Sequence, residues 1–398
     1  MNLFEDFGLS EKLFENINRL GYTKPTEIQE KSIPFIIKGE DVIGESATGS
    51  GKTLAFGCGI VERVIPRDGL QALILTPTRE LAEQVKDALR QISRLNIIAV
   101  YGGVSINTQI HELQRSEVVI ATPGRLLDHI KRRTINLSKI KLLVLDEADR
   151  MFDMGFITDV ERIIKNCPVK RQTLFFSATI SSRVNELANK HMSKPVKILA
   201  ENMVDPDKLK QFYYNVSKNM RLSLLVHLLQ NEKSGLVMVF CNTRRGVDFV
   251  VKNLRTNKIK AIAIHGGLSQ NKRTQTIESF NDAKVDVLVC TDVASRGLDI
   301  DNVSHIYNYD IPKDAKDYVH RIGRTARAGE EGKVINLLCD IDHDNFSRVL
   351  KEYTFSIKNL ERPYFEKITF NESNRKQFFN KHSFNRKQFI RRRKWKEQ

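Results

Sequence analysis

Asp146-Glu147-Ala148-Asp149 follows directly on four apolar residues, Leu142 to Leu145. An apolar run of that length predicts a buried parallel strand. The C-terminal ends of such strands are where open α/β sheets bind ligands. Carboxylates placed there can hold a divalent cation and activate water. Upstream, after the short apolar stretch Asp41-Val42-Ile43, stands Gly49-Ser50-Gly51-Lys52-Thr53. This has the parts of a phosphate-binding loop: glycine-opened backbone, a lysine for the phosphates and a hydroxyl for Mg²⁺. The usual pattern puts glycine at position 46, where this chain has Ser46. Loop and acids together make a site for a nucleoside triphosphate, with a phosphate cradle, a metal and an acid to activate water.

Ten or more strands are needed to position these groups. Apolar runs at Ala72–Leu75, Ile97–Tyr101, Val118–Ala121, Leu142–Leu145 and Leu174–Ser177 alternate with longer amphipathic stretches. The rhythm repeats at Leu236–Cys241, Ala261–Ile264, Val285–Cys290, His305–Tyr309 and Val334–Leu338. Strand–helix alternation implies βαβ units and parallel sheets. One sheet of that size would be unusual, and 398 residues suit two consecutive α/β domains. Glu11–Leu20 reads as a helix ahead of the first. The polar stretch around Pro206 marks the break, giving domains over 1–202 and 211–369 with a linker over 203–210. Beyond Phe370 the periodicity ends.

Composition narrows the function. A net charge of +16 points to a polyanionic partner. The stretch 370–398 holds +8 of it, repeats Asn-Arg-Lys-Gln-Phe at 374–378 and 385–389, and interleaves cations with Phe379, Phe384 and Trp395. That pattern suits an RNA-binding tail without a fold of its own. No run of about 18 apolar residues is present, so no membrane span is expected, and the acidic stretch Met1–Gly8 does not read as a secretory signal. Five isolated cysteines, none in a C-x-x-C pair, argue against a structural metal or a disulfide framework. They fit a reduced, cytoplasmic setting.

The motifs, in this order over residues 4–340, resemble the DEAD-box family of superfamily 2 ATP-dependent RNA helicases. The resemblance implies two tandem RecA-like domains, ATP and Mg²⁺ as cofactors, and RNA as partner. Phe4, Tyr22 and Gln29 match the adenine-reading Q motif, where an amide that both donates and accepts suits adenine over guanine. Ala47, Thr48, Gly49, Ser50, Gly51, Lys52 and Thr53 match motif I, and Thr53 and Asp146 stand at the metal positions. Glu147 matches the general base. Asp149 matches a residue that couples the acid tetrad to Ser177-Ala178-Thr179 and to His320. In the second domain Arg324 and Arg327 match the arginines that reach the γ-phosphate, with Ala326 where the family usually has glycine. Gly297 and Asp299 match positions lining the ribose and phosphates.

The same resemblance assigns RNA contacts to Pro77, Thr78, Arg79, Gly102, Gly103, Thr122, Pro123, Gly124 and Arg125 in the first domain. In the second it assigns Asn242, Arg244, Gln270, Arg273, Thr291 and Asp292. Hydroxyls, amides, arginines and glycine-opened backbone suit phosphates and 2′-hydroxyls more than base edges, which implies binding without sequence preference. The expected activity is RNA-stimulated ATP hydrolysis by a monomer, coupled to local unwinding or remodelling of RNA. Two rivals are a DNA helicase and a non-catalytic, ATP-gated RNA clamp.

Overall fold

The computed structural model describes residues 2–46, 49–200, 209–232, 234–295, 300, 303–326, 331–353 and 355–368. Ala47, Thr48, Gly297, Asp299, Arg327, most of the linker and the tail lie outside the described residues.

Two seven-stranded parallel sheets organise the chain. The first is built from β1 (Val42–Glu45), β2 (Ala72–Leu75), β3 (Ile97–Val100), β4 (Val118–Ala121), β5 (Leu142–Asp146), β6 (Gln172–Ser177) and β7 (Val196–Leu199). Their order across the sheet is β3-β4-β2-β5-β6-β1-β7. The second contains β8 (Leu209–Asn215), β9 (Leu236–Phe240), β10 (Ala261–Ile264), β11 (Val287–Cys290), β12 (Val303–Asn308), β13 (Gly332–Leu338) and β14 (Ile357–Asn359). Its order, β10-β11-β9-β12-β13-β8-β14, is that of the first sheet strand for strand. The tandem RecA-like architecture expected from the motifs is the observed one.

Helices cover both faces, so the inner strands are buried and mostly apolar. All of β2, β4, β5, β6 and β11 is buried, and each sheet separates two apolar clusters. At about 25 cal/mol per Å² of apolar surface removed from water, this burial is the main source of stability.

All ten apolar runs became strands. β7, β8 and β14 were not expected, because β7 and β8 mix buried with exposed positions and none of the three residues of β14 is buried. β8 begins at Leu209, so Leu209 and Lys210, read as linker, belong to the second sheet. They pair in register with Gly332 and Lys333 of β13. The helix expected over Glu11–Leu20 is observed over Glu11–Arg19.

Candidate functional site

The phosphate loop runs from β1 into the helix Lys52–Arg63, and Gly51 caps that helix in the left-handed conformation at φ 89°. A side chain on Gly51 would collide with the Gln29 amide. Ser46 is buried and does more than fill space. Its Oγ lies 2.8 Å from Ser50 Oγ, its N–H donates to Ser177 O, and its carbonyl accepts from Lys52 Nζ at 2.8 Å. Burial pulls the Lys52 ammonium below the usual lysine range, while Asp146 and Glu147 nearby pull it back up.

The acid tetrad sits at the end of β5. Asp146 is 3% exposed, and burial pushes its carboxyl up to about 7, against the opposing charge of Lys52. Asp146 Oδ1 accepts the Glu147 N–H at 3.0 Å. Glu147 adopts φ 53°, ψ 51°, a left-handed conformation that costs a non-glycine residue about 1–2 kcal/mol. Glu147 Oε2 accepts from Arg150 Nη1 at 2.8 Å. Asp149 meets the Ser177-Ala178-Thr179 segment directly. Its N–H donates to Ser177 Oγ, and its Oδ2 accepts from the N–H and Oγ1 of Thr179 at 3.1 and 3.2 Å.

Gln29 holds the phosphate loop in place. Its Oε1 accepts the Thr26 N–H, its Nε2 donates to Gly51 O at 3.0 Å, and Thr26 Oγ1 donates to Ser50 O. One N–H and one lone pair of the amide remain for a base. Tyr22 presents its ring at 47% exposure. Phe4 takes a different place from the one expected: it is wholly buried and packs edge-on against Phe7, so it supports this region from the core and presents no face to a ligand.

The expected RNA-contacting residues share one structural origin. Helices after β2, β4, β9 and β10 begin at Arg79, Pro123, Arg244 and Gln270. Thr78 and Thr243 cap two of them through their hydroxyls, and Thr122 precedes Pro123 at the first position of a third. Helix N-termini carry unsatisfied N–H groups and favour phosphate. Two arginines lie on paired glycines: Arg79 against Gly102 and Gly103, Arg244 against Gly266 and Gly267. Gly103 has φ 94°, and a side chain there would run into the Arg79 guanidinium. Arg125 donates to Val104 O and Gln109 Oε1.

Some side chains expected on RNA are engaged with protein instead. Asp292 grips Arg321 through both oxygens, at 2.5 and 2.8 Å. Asn242 Oδ1 also accepts from Arg321, and its Nδ2 donates to Ile311 O. Thr291 is buried beside them. Gln270 Nε2 and Arg273 Nη2 both reach Glu80 Oε1 of the first domain, at 3.0 and 3.1 Å. The loops carrying these residues are therefore shaped by arginine pairing, and Glu80 joins the two sheets.

Arg324 is 4% exposed just beyond the helix Ala315–Ile322, which carries His320 half-buried. Arg321, on the same helix, is 1% exposed, stacks on Phe240 and bonds Asn308 and Asp310. The sequence reading missed Glu80, Arg150, Asn308 and Arg321. An asparagine within the apolar run of β12 and an acid next to Arg79, in a stretch otherwise read as contacting RNA, were the available signals.

Among the described residues, no group of three or more His, Cys, Asp or Glu side chains is placed to hold a metal, and no helix is long and apolar enough to cross a membrane. The five cysteines are free and buried.

A phosphate loop beside buried acids at the strand ends of one RecA-like sheet, followed by a second sheet of the same strand order, is the architecture of a P-loop ATPase. Residues 26–187 match the DEAD/DEAH box helicase family, and residues 220–329 match the helicase conserved C-terminal domain. The chain is 45% identical over 345 residues to the ATP-dependent RNA helicase CshA of Listeria monocytogenes, covering 85% of this chain and 66% of that protein. It is 44% identical to the DEAD-box ATP-dependent RNA helicase CshA of Geobacillus kaustophilus, covering 83% of this chain and 72% of that one. Among solved structures, S. cerevisiae Dbp5 bound to RNA and ADP BeF3 superposes with TM-score 0.83 at 29% identity, over 90% of this chain and 96% of that one. A DEAD box protein from the hyperthermophile Methanococcus jannaschii scores 0.55 at 39% identity, over 90% and 99%. The chain belongs to the DEAD-box family of ATP-dependent RNA helicases.

Proposed function

We propose that this chain is a monomeric, cytoplasmic, RNA-stimulated ATPase that remodels RNA locally by closing two domains, 1–202 and 211–369, around ATP and one RNA strand. The observation that carries this reading is the division of charge. Lys52, Asp146 and Glu147 stand on the first sheet and Arg324 on the second, while Glu80 bonds Gln270 and Arg273 across the boundary.

Each residue has a distinct task in the closed state. Gly49 to Thr53 offer backbone N–H groups to the phosphates, and Lys52 bears on the β- and γ-phosphates. Tyr22 stacks on the base, and the remaining valences of the Gln29 amide read adenine. A magnesium ion keeps most of its waters and needs only one or two protein oxygens. Asp146, a buried carboxyl facing Lys52, and the hydroxyl of Thr53, next to Lys52 in the loop, would supply them. The ion would neutralise charge on the phosphates. Glu147 orients the attacking water and takes its proton. Arg324, with Arg327, stabilises charge developing on the γ-phosphoryl oxygens. Because the arginines come from the other domain, turnover waits for closure.

The RNA backbone lies along the helix N-termini of both domains, so its binding favours the closed arrangement. Asp149, through Ser177 and Thr179, links the acids to the segment after β6, and His320 carries the link to the second domain. Hydrolysis reopens the domains and releases the strand. The tail, 370–398, serves as an accessory tether whose cations bind phosphates and whose aromatic residues stack on bases, worth about 1–3 kcal/mol per base.

Phosphate release over many turnovers, measured with RNA, with DNA and with neither, tests this reading. RNA should raise the rate strongly, and ATP should be preferred to GTP by about 1–3 kcal/mol per base contact left unpaired. Equal rates with and without RNA would sink the split site. Stimulation by DNA as strong as by RNA would favour the DNA helicase, and RNA binding that needs ATP without turnover would favour the clamp.

A further inference from the structure

We propose that Arg150 is a positioning residue for ATP hydrolysis, holding the Glu147 carboxylate in the orientation that receives a proton from water. The inference rests on the reading of Glu147 as the base and names what keeps that base in place.

Arg150 lies one turn beyond Glu147, in the helix Ala148–Asp153, and is 1% exposed. Its Nη1 donates to Glu147 Oε2 at 2.8 Å. Its Nη2 is buried without a hydrogen-bond partner among the described residues. A purely structural explanation of this arrangement is weak. Burying a guanidinium–carboxylate pair costs several kcal/mol per ion in desolvation, and an apolar side chain of similar size usually stabilises as well or better. Met151, the next residue, fills its own buried place with apolar atoms. An arginine with one fork nitrogen left unbonded is an expensive way to fill volume, so its charge and reach are the features that matter.

Local geometry shows what they achieve. The Glu147 backbone is held by the Asp146 carboxylate, which accepts its N–H, and by the N–H groups of Arg150 and Met151, which donate to its carbonyl. Those contacts hold the left-handed backbone but leave the side-chain torsions open. A glutamate has three, and a base must be aligned with its proton to within a fraction of an ångström to act efficiently. Asp146 and Asp149 flank it with like charge, which favours rotation away from them. Arg150 is the cation that bonds the carboxylate itself, from the first turn of the helix that Glu147 caps. A pair three residues apart across the helix start needs no partner from elsewhere and survives opening and closing of the domains.

The test compares Arg150→Met and Arg150→Lys in the full chain, at saturating RNA. Arg150→Met should lower kcat about 10- to 100-fold, the cost of misplacing a catalytic group by about 1 Å. KM for ATP and the RNA concentration for half-maximal rate should stay within about twofold, since the interaction matters in the reacting state. Arg150→Lys, which keeps a charge in reach, should recover part of the loss. A double-mutant cycle with Glu147→Gln separates positioning from general damage. If Arg150 acts through Glu147, adding Arg150→Met to Glu147→Gln should cost little more. Wild-type kcat in Arg150→Met, or an equal fold-loss with and without Glu147, overturns the proposal. Should Arg150→Met fail to fold, the same split between kcat and KM read on Arg150→Lys decides it: a fall in kcat at constant KM supports positioning, and unchanged kcat overturns it. Full turnover in Glu147→Gln alone would instead overturn the base assignment.

Discussion

The two sheets have the same strand order, yet equivalent strand ends do opposite things. In the first sheet the helix after β1 opens with Lys52, and β5 ends in Asp146. In the second, the helix after β8 opens with Arg221, and Asp310 stands just beyond β12. Lys52 donates to a backbone carbonyl and faces the buried Asp146, whose carboxyl burial pushes up. Arg221 is locked by Asp310 at 2.7 Å, by Asp342, by Cys339 Sγ at 2.8 Å and against the Tyr309 ring. The same architecture thus yields an open, glycine-lined phosphate loop in one half and a closed ion-pair cluster in the other. Chemistry follows the open one, because backbone N–H groups there can receive a phosphate, whereas the charges around Arg221 are spent on one another.

That contrast can be broken experimentally. The largest effect is expected at the open site: Glu147→Gln should cut RNA-stimulated kcat by about 10³, within the range for general bases, while the melting temperature stays near wild type. Stopped-flow phosphate release and a thermal scan of the same sample check both halves.

The next effect should be the reverse in kind. Arg221→Ala leaves the buried Asp342 and the half-buried Asp310 without their shared cation and should cost about 3–5 kcal/mol of stability in the second domain. Lys52→Ala should cost far less stability but abolish tight ATP binding. Denaturant unfolding of both variants, with ATP affinity measured alongside, would merge the two sites into one class if the losses match.

A smaller change is expected where the sheets meet. Glu80→Ala removes two bonds across the boundary and should raise the RNA needed for half-maximal ATPase by roughly 10-fold, about 1.4 kcal/mol. The isolated domains should melt unchanged. No shift in RNA requirement would show that Glu80 does not bear on closure.

The smallest effect concerns backbone strain, which each half carries near its functional group. Glu147 has φ 53° and Ala326 φ 54°. The first is a residue whose side chain is needed; the second is an alanine where glycine would adopt the same conformation freely. A side chain on Gly332 would press on Thr325 and the Ala326 backbone, so this turn is tightly packed. Ala326→Gly should stabilise the second domain by about 1 kcal/mol or less, since glycine removes the left-handed penalty but loosens the unfolded chain. A loss of stability in chemical denaturation would show that the alanine methyl packs well enough to outweigh its strain.

The legibility of each element follows from its environment. β2, β4 and β5 were plain because strands covered on both faces must be apolar throughout, and β5 announces the acids at its end. β8 was hidden although it lies between β13 and β14, since Lys210, Gln211 and Asn215 interrupt its apolar residues. Gln29 was legible as a purine reader, but its bond to Gly51 joins residues 22 positions apart and leaves no local pattern. Asn242 and Asp292 carry side chains suited to RNA, and only their distance to Arg321 shows them engaged elsewhere.

The sequence alone determined which chemistry is possible here: a glycine-opened loop with Lys52 and Thr53, acids at a strand end, arginines in the second half and a basic tail. These are properties of residue type and short-range spacing, and they are written locally. Tertiary structure decided which charges are left for chemistry. Lys52 and Arg221 open equivalent helices with the same sign of charge; the glycines before Lys52 mark it for phosphate, but nothing near Arg221 in sequence shows that its charge is spent inside the fold. Asp310, Asp342 and Cys339 surround Arg221 from 89 to 121 residues away, and Glu80 meets Arg273 from the other domain. Charge pairing in a buried site depends on distances of 3 Å, which only the fold can set.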